Sequence, residues 1–350
     1  MVSQTIKLGG SASHISVGRV AHGLMMLSCV LQAVSDEQAF ESIKAGVDAL
    51  PSGTKMFLNT GEFYDKSWGV GNLLLLSRFF EKYPEYAEKT FLSVKGAMKP
   101  DGKGLIMPDS SMEYLRHSVD NCQKALGPNK KIDLYEPARI DPKVPLETIM
   151  SNLITLQNEG KFAHIGLSEC KGSTLRKANS FHPGSIVAVE VEVSAWEYGQ
   201  EQKDLIAAAT ELGVSVLAYS PLGHGLLTGT ITSSADLPEG DLRARFDRFK
   251  EDNIKANLAI VEGLKAIAEN RKPPITTGQL CIAWVAALGP TMIPLPGSSK
   301  ASRTLENLEA GDVLLTSEEM KAVEKVLVEH PVSGERYIGG PTNAHLHLWG

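Results

Sequence analysis

The run Phe57-Leu58-Asn59-Thr60-Gly61-Glu62-Phe63-Tyr64 is followed downstream by Phe91-Leu92-Ser93-Val94-Lys95-Gly96, two apolar stretches that each end in polar groups. If both stretches are strands of one parallel sheet, their ends share a rim, and the Tyr64 phenol meets the Lys95 ammonium there. A cation beside a phenol favours the phenolate, which makes the tyrosine a usable proton donor.

Such a rim needs a scaffold of repeated strands and helices. Short apolar runs at 19–24, 55–59, 90–95, 131–135, 164–168, 186–190, 214–219 and 291–295 read as strands covered on both faces. Helix signals fill the gaps: Ser35-Asp36-Glu37, Asp109-Ser110 and Pro145-Leu146-Glu147 open three of them, and helical spacing runs through 253–270 and 277–288. About eight βα pairs predict a (β/α)8 TIM barrel, a single domain over 1–350 with a long loop after strand seven, at 223–252, and a C-terminal extension. A segment of that length without a period is the kind that serves as a lid. The alternative, a doubly wound open sheet, is disfavoured because no Gly-x-Gly-x-x-Gly turn follows the first strand.

Composition narrows the partners. The 350 residues carry 35 basic and 41 acidic side chains, a formal charge of −6, with no dense basic block to track a phosphate backbone. Cys29, Cys122, Cys170 and Cys281 lie far apart, without a zinc or disulfide pattern, which fits a reducing cytosol. The apolar run 24–34 is too short to span a bilayer of about 30 Å and lacks a signal-peptide pattern. The expectation is a soluble cytoplasmic protein acting on a small molecule, without nucleic acid, membrane or metal; His345 and His347 could contact a metal in principle but read as tail residues.

These segments, with Ile132-Asp133-Leu134-Tyr135, Ile165-Gly166-Leu167-Ser168-Glu169, Ala218-Tyr219-Ser220-Pro221-Leu222-Gly223 and Ile293-Pro294-Leu295-Pro296-Gly297-Ser298, resemble the aldo-keto reductase superfamily from about residue 17 to 308. The resemblance implies a barrel that uses a nicotinamide cofactor and a tetrad of aspartate, tyrosine, lysine and histidine. Tyr64 and Lys95 match two members, whereas Asn59 stands at the aspartate position and Ala138 at the histidine position. The fungal pyridoxal reductase branch looks like this chain in both departures. Asn59 accepts a hydrogen bond from Lys95 without adding charge, so Lys95 is expected to titrate lower than usual. Loss of the histidine removes a carbonyl-polarising donor, a loss of about 10²- to 10³-fold where the donor is essential. Pyridoxal, with a hydroxyl beside its aldehyde, is expected to offset this internally. Arg139 is not expected to replace the histidine; Glu136 shares the face of Ala138 and reads either as a buried carboxylate deeper in the barrel or, ahead of a catalytic role, as solvent-linked or backbone-paired.

The resemblance further implies NADPH. Tyr219 matches the residue that stacks on the nicotinamide, and Ser168, Glu169 and Glu190 match positions that hold its carboxamide. Ser220, Leu222, Gly223, Gly225 and Leu227 resemble the loop whose amides contact the pyrophosphate. Gly297, Ser298, Lys300, Arg303, Glu306 and Asn307 resemble the adenosine site, with Lys300 and Arg303 expected to neutralise a 2′-phosphate and Gly297 standing where the family usually has lysine. Leu24, Met25, Phe63 and Ala138, with Trp68 and Trp196, are candidates to line the substrate pocket, Phe63 evenly balanced with core packing and Met25 and Trp196 leaning to a structural role; Arg243, Arg245 and Arg248 of the long loop read chiefly as a solvated charged face. The function so implied is reduction of an aldehyde to an alcohol, with pyridoxal to pyridoxine leading. The alternatives are reduction of another aromatic or secondary-metabolite carbonyl, and a catalytically weak nucleotide-binding regulatory subunit resembling the potassium-channel β-subunits.

Overall fold

The structure, a computed structural model, describes residues 2–29, 34–102, 105–338 and 346–350. Residues 30–33, inside the apolar run near the N-terminus, and His345 lie outside the described residues. Eight parallel strands make one sheet: β1 (His22–Gly23), β2 (Met56–Gly61), β3 (Thr90–Gly96), β4 (Leu134–Pro137), β5 (His164–Ser168), β6 (Ile186–Glu192), β7 (Ser215–Tyr219) and β8 (Met292–Leu295). Each pairs with its successor, and β8 returns to β1 through Ala21 N–H to Pro294 O and Gly23 N–H to Pro296 O, both 2.9 Å, and a bridge between Gly23 and Gly297. The sheet is a (β/α)8 barrel.

Alternation along the strands divides the core in two. Phe57, Phe91, Leu134, Ala188, Leu217 and Ile293 point inward and cluster with Leu8, Ala12 and Val17 of the N-terminal segment. That segment contains a hairpin, Thr5–Lys7 with Ser16–Gly18, which the sequence reading did not include. Outward residues such as Leu58, Leu92, Val94, Leu167, Val189 and Val191 pack with the surrounding helices. Further along the same inward rows stand Asn59, Ser93, Lys95, Glu136, Ser168, Glu190 and Glu192, all buried. The barrel interior is therefore apolar at one end and ionisable at the other, the end from which the βα loops leave.

The helices are α1 (Asp36–Asp48), α2 (Gly71–Lys82), α3 (Met112–Leu126), α4 (Leu146–Asn158), α5 (Gly172–Phe181), α6 (Gln200–Leu212), α7 (Glu251–Asn270), α8 (Thr277–Ala287), α9 (Ala301–Glu309) and α10 (Ser317–Glu329). Side chains of Ser35, Ser111, Thr276 and Thr316 accept from the first-turn amides of α1, α3, α8 and α10, where four donors have no partner within the helix. The start expected at Asp109-Ser110 lies one residue on, because Ser111 supplies the capping oxygen. β1 is two residues long, shorter than the run 19–24, because the neighbouring Pro294 and Pro296 have no N–H to return. The long connection after β7 is built of short 3-10 turns, Gly223–Thr228, Ser234–Asp236, Leu242–Arg245 and Asp247–Phe249. Among the described residues no helix is long and apolar enough to cross a membrane.

Candidate active site

Tyr64 lies just beyond β2, and three contacts fix its backbone there. Ser28 Oγ donates to Tyr64 O at 2.7 Å, Asn72 Nδ2 of α2 donates to Ser28 Oγ at 2.7 Å, and Asn72 Oδ1 accepts from Thr60 at 2.5 Å. The intervening Glu62 reaches the other way, accepting from Ser118 and, at 2.9 Å, from Asn121, both on α3. A Cβ on Gly61 would meet the Tyr64 ring at 3.1 Å, so glycine lets the ring fold back over the strand end. Phe63 packs edge-on to Tyr64, ring centroids 5.4 Å apart.

Lys95 comes from β3, 5.2 Å from the Tyr64 ring centroid and 4% exposed. Its ammonium donates to Asn59 Oδ1 at 2.6 Å and to both oxygens of Glu190, on β6, at 2.8 and 2.9 Å. Asn59 Nδ2 donates to Glu190 Oε2 at 2.6 Å, which closes a three-residue ring inside the barrel. Burial alone would lower the lysine's pKa, but the opposite charge of Glu190, the largest raising influence, reverses this and leaves it raised. The expectation that Lys95 titrates low is thus corrected: it considered the neutral residue on β2 and not the carboxylate arriving from β6. Burial pushes the Tyr64 phenol up to about 12, against the pull of Lys95, so the group is a protonated phenol at neutral pH rather than a phenolate.

Glu136 is the buried carboxylate, and its solvent-linked or backbone-paired reading is corrected. It is wholly enclosed on β4, away from bulk solvent, and accepts from Ser93 Oγ at 3.1 Å, with no backbone partner among the described residues. Gly166 on β5 makes room for it, since a Cβ there would meet Glu136 Oε2 at 3.0 Å. Burial, then the charge of Glu190, raises its pKa well above the carboxylate range, with Lys95 opposing. Its enclosure beside Glu190 therefore favours the protonated form of Glu136.

At the barrel mouth Glu169 and Glu192 follow β5 and end β6, and both are enclosed. Arg336, from the segment after α10, donates to Glu192 at 2.5 Å, to Glu169 at 2.7 and 3.0 Å and to the Tyr219 hydroxyl at 2.5 Å. Tyr219 O–H also donates to Glu169 at 2.7 Å and pairs with the Tyr337 hydroxyl. Glu169 and Ser220 hold φ of 52° and 51°, strained backbone directly after β5 and β7. Despite burial, Arg336 keeps the Glu169 carboxyl below its ordinary value, and Arg336 with His224 holds Glu192 at about 2. Arg336, Glu192 and Tyr337 were absent from the sequence reading; a glutamate pair closing the apolar run 186–192 was the available signal.

The turn after β7 uses some amides internally. Gly223 N–H donates to Ser220 O, and Gly225 and Leu227 N–H donate to Leu222 O, so these three point into the turn, and Leu227 is itself core. Gly297 sits at the barrel seam, and Ser298 Oγ donates to Lys300 O at 3.0 Å. On α9, Glu306 is engaged by the Thr276 hydroxyl at 2.8 Å; Asn307 is half-buried, and Arg303 is exposed. Lys300 and Arg303 have no ion pair among the described residues. Arg243 pairs with Asp241 and Arg248 with Glu197, while Arg245 is exposed.

Around the substrate side, Met25 and Phe63 are half-buried, Trp68 is exposed, Trp196 is buried against Phe249, and Leu24 lies wholly in the core. Ala138 is buried just past β4, its N–H bonded to Gly96 O at 3.0 Å. Arg139 leaves that place empty of charge, turning to the carbonyls of Leu346 and Ala138. Among the described residues no cluster could hold a metal ion.

The polar mouth of this barrel thus joins the half-buried Tyr64 phenol to an ion-paired Lys95. A sequence model of the Aldo/keto reductase family matches residues 19–328, and this chain belongs to that family. It is 35% identical to "Probable pyridoxal reductase 2" of Schizosaccharomyces pombe over 92% of this chain and 95% of that one. It is 33% identical to "Putative pyridoxal reductase" of Saccharomyces cerevisiae over 90% and 94%. The solved glycerol dehydrogenase of Gluconobacter oxydans shares the fold, with TM-score 0.79 at 23% identity over 96% of this chain and 98% of that one.

Proposed function

We propose that this protein is an NADPH-dependent reductase that converts an aldehyde to an alcohol, with pyridoxal to pyridoxine as its leading reaction. The observation that carries the reading is the Tyr64 phenol set against the ion-paired Lys95 at the barrel mouth. The two fungal relatives named as pyridoxal reductases support the substrate.

The residues fit the cofactor at its polar ends. Lys300 and Arg303, cations without an ion partner among the described residues, suit a 2′-phosphate; Ser168, Glu169 and Tyr219 line the mouth where a nicotinamide would be held. When bound, the cofactor supplies the hydride. Tyr64 gives its proton to the carbonyl oxygen as negative charge grows there, and Lys95 stabilises the tyrosinate left behind. Ala138 offers no donor, so the substrate's own hydroxyl polarises the carbonyl.

The test follows NADPH consumption with pyridoxal, a pyridoxal analogue lacking the hydroxyl beside the aldehyde, and a panel of other carbonyls. The expected result is turnover of pyridoxal, a slower analogue, and a fall of about 10³-fold in kcat for Tyr64→Phe. Tight NADPH binding without turnover of any carbonyl would replace this reading with a nucleotide-binding regulatory subunit; equal rates for pyridoxal and its analogue would remove the substrate's assistance.

A further inference from the structure

The geometry points to a transposed counter-ion: we propose that Glu190 on β6 is the positioning residue that keeps Lys95 charged, with Asn59 on β2 as the neutral bridge between them. This deepens the reductase reading and rests on it for the role of Lys95. A buried ammonium is costly without a negative partner. The neighbouring strand reaches the ammonium only through the Asn59 amide, its oxygen accepting from Lys95 at 2.6 Å and its nitrogen donating to Glu190 at 2.6 Å. That orientation uses both ends of the amide, which an aspartate at this position would not reproduce while Glu190 remained ionised, because two carboxylate oxygens would then face each other. The carboxylate in contact is Glu190, bidentate on the ammonium at 2.8 and 2.9 Å, with 3% of its surface exposed.

Other titratable groups face this ring and do not replace Glu190. Glu136 on β4 adds charge only if ionised, and its enclosure beside Glu190 favours the protonated form. Tyr64 after β2 is the acid being tuned; Cys29 lies near the phenol. Ser93 and Asn59 are neutral. Because Glu190 is tied to Lys95 and Asn59, its carboxylate is committed inward, and a nicotinamide amide would depend on Ser168 and the residues about it.

The experiment exchanges the two side chains. In Glu190→Gln the kcat for pyridoxal reduction is expected to fall about 10²-fold and its alkaline limb to move at least about one pH unit lower, while the NADPH dissociation constant changes less than about threefold. In the double variant Asn59→Asp with Glu190→Gln, the carboxylate returns on β2, and both kcat, to within about tenfold, and the pH limb are expected to recover. A second readout needs no turnover: the ultraviolet titration of Tyr64, taken as the difference from the matching Tyr64→Phe protein. It is expected to move to higher pH in Glu190→Gln, since a discharged Lys95 no longer pulls the phenol down and that pull outweighs the push from Glu190 itself, and to return in the double variant. If the wild type reduces no carbonyl, the reductase reading fails while this titration still decides the counter-ion. A folded double variant no better than Glu190→Gln in either readout, or a Glu190→Gln defect confined to NADPH affinity, would overturn the proposal.

Discussion

Tyr64 and Lys95 could be read from sequence because each closes an apolar strand-like run, so their types and places are local facts. The charge on Lys95 could not, because its counter-ion arrives from a strand far along the chain, and pairing across a barrel leaves no trace in spacing. The pair has a stability consequence. In Lys95→Met the Glu190 carboxylate stays buried without its cation, a loss of about 3–5 kcal/mol by urea unfolding at neutral pH. The sign with pH follows from the raised lysine. Its stabilising contribution is present in full below the ordinary value of 10.5 and is lost as pH climbs through the higher folded value. The gap between wild type and Lys95→Met should therefore hold steady at neutral pH and narrow only above about pH 10. A gap that ignores alkaline pH would mean that the ammonium is not held by charge.

Element by element, strands buried on both faces were legible, since parallel strands read as apolar runs. The hairpin Met98–Pro100 with Ile106–Pro108, like the N-terminal one, was not, because three residues carry too little period to register. The turn between β2 and α2 shows how sequence can mark a residue without revealing its task. Glu62 sits in the Asn59 to Tyr64 motif, yet it faces away from the phenol and ties the turn to Ser118 and Asn121 of α3. Glu62→Ala should cost about 1–3 kcal/mol by leaving those donors without their acceptor. It should also lower kcat by more than about tenfold, because the turn that carries Tyr64 loses its tie to α3 while the residues proposed to hold NADPH are untouched. Urea unfolding read beside kcat and the NADPH dissociation constant separates the two effects. Lost stability with unchanged kcat would show that Ser28 and Asn72 alone hold the tyrosine.

For the whole molecule, the sequence indicated a C-terminal extension but not its destination, which lies past the 19–328 match to the family. Asn257 of α7 bonds the Ser333 backbone at 2.8 and 2.9 Å, and Asp247 of the long connection takes Glu335 N–H at 2.8 Å. Those contacts deliver Arg336 to the mouth, where one guanidinium joins the ends of β5, β6 and β7 through Glu169, Glu192 and Tyr219. The long connection and the C-terminal segment therefore brace each other over the site. Glu192, lowered from 4.5 to about 2, carries on the order of 3 kcal/mol of stability at neutral pH. For a depressed carboxyl that contribution is present above the unfolded value and disappears as pH falls towards about 2. Arg336→Gln removes the cation and leaves two enclosed carboxylates whose pKa values must rise. The variant should then be least stable relative to wild type at neutral pH, and acid, by protonating both glutamates, should close the difference. Thermal unfolding of the two proteins from neutral pH down to about 3 measures this, and a difference that widens in acid would mean that Glu169 and Glu192 are not stabilised by Arg336.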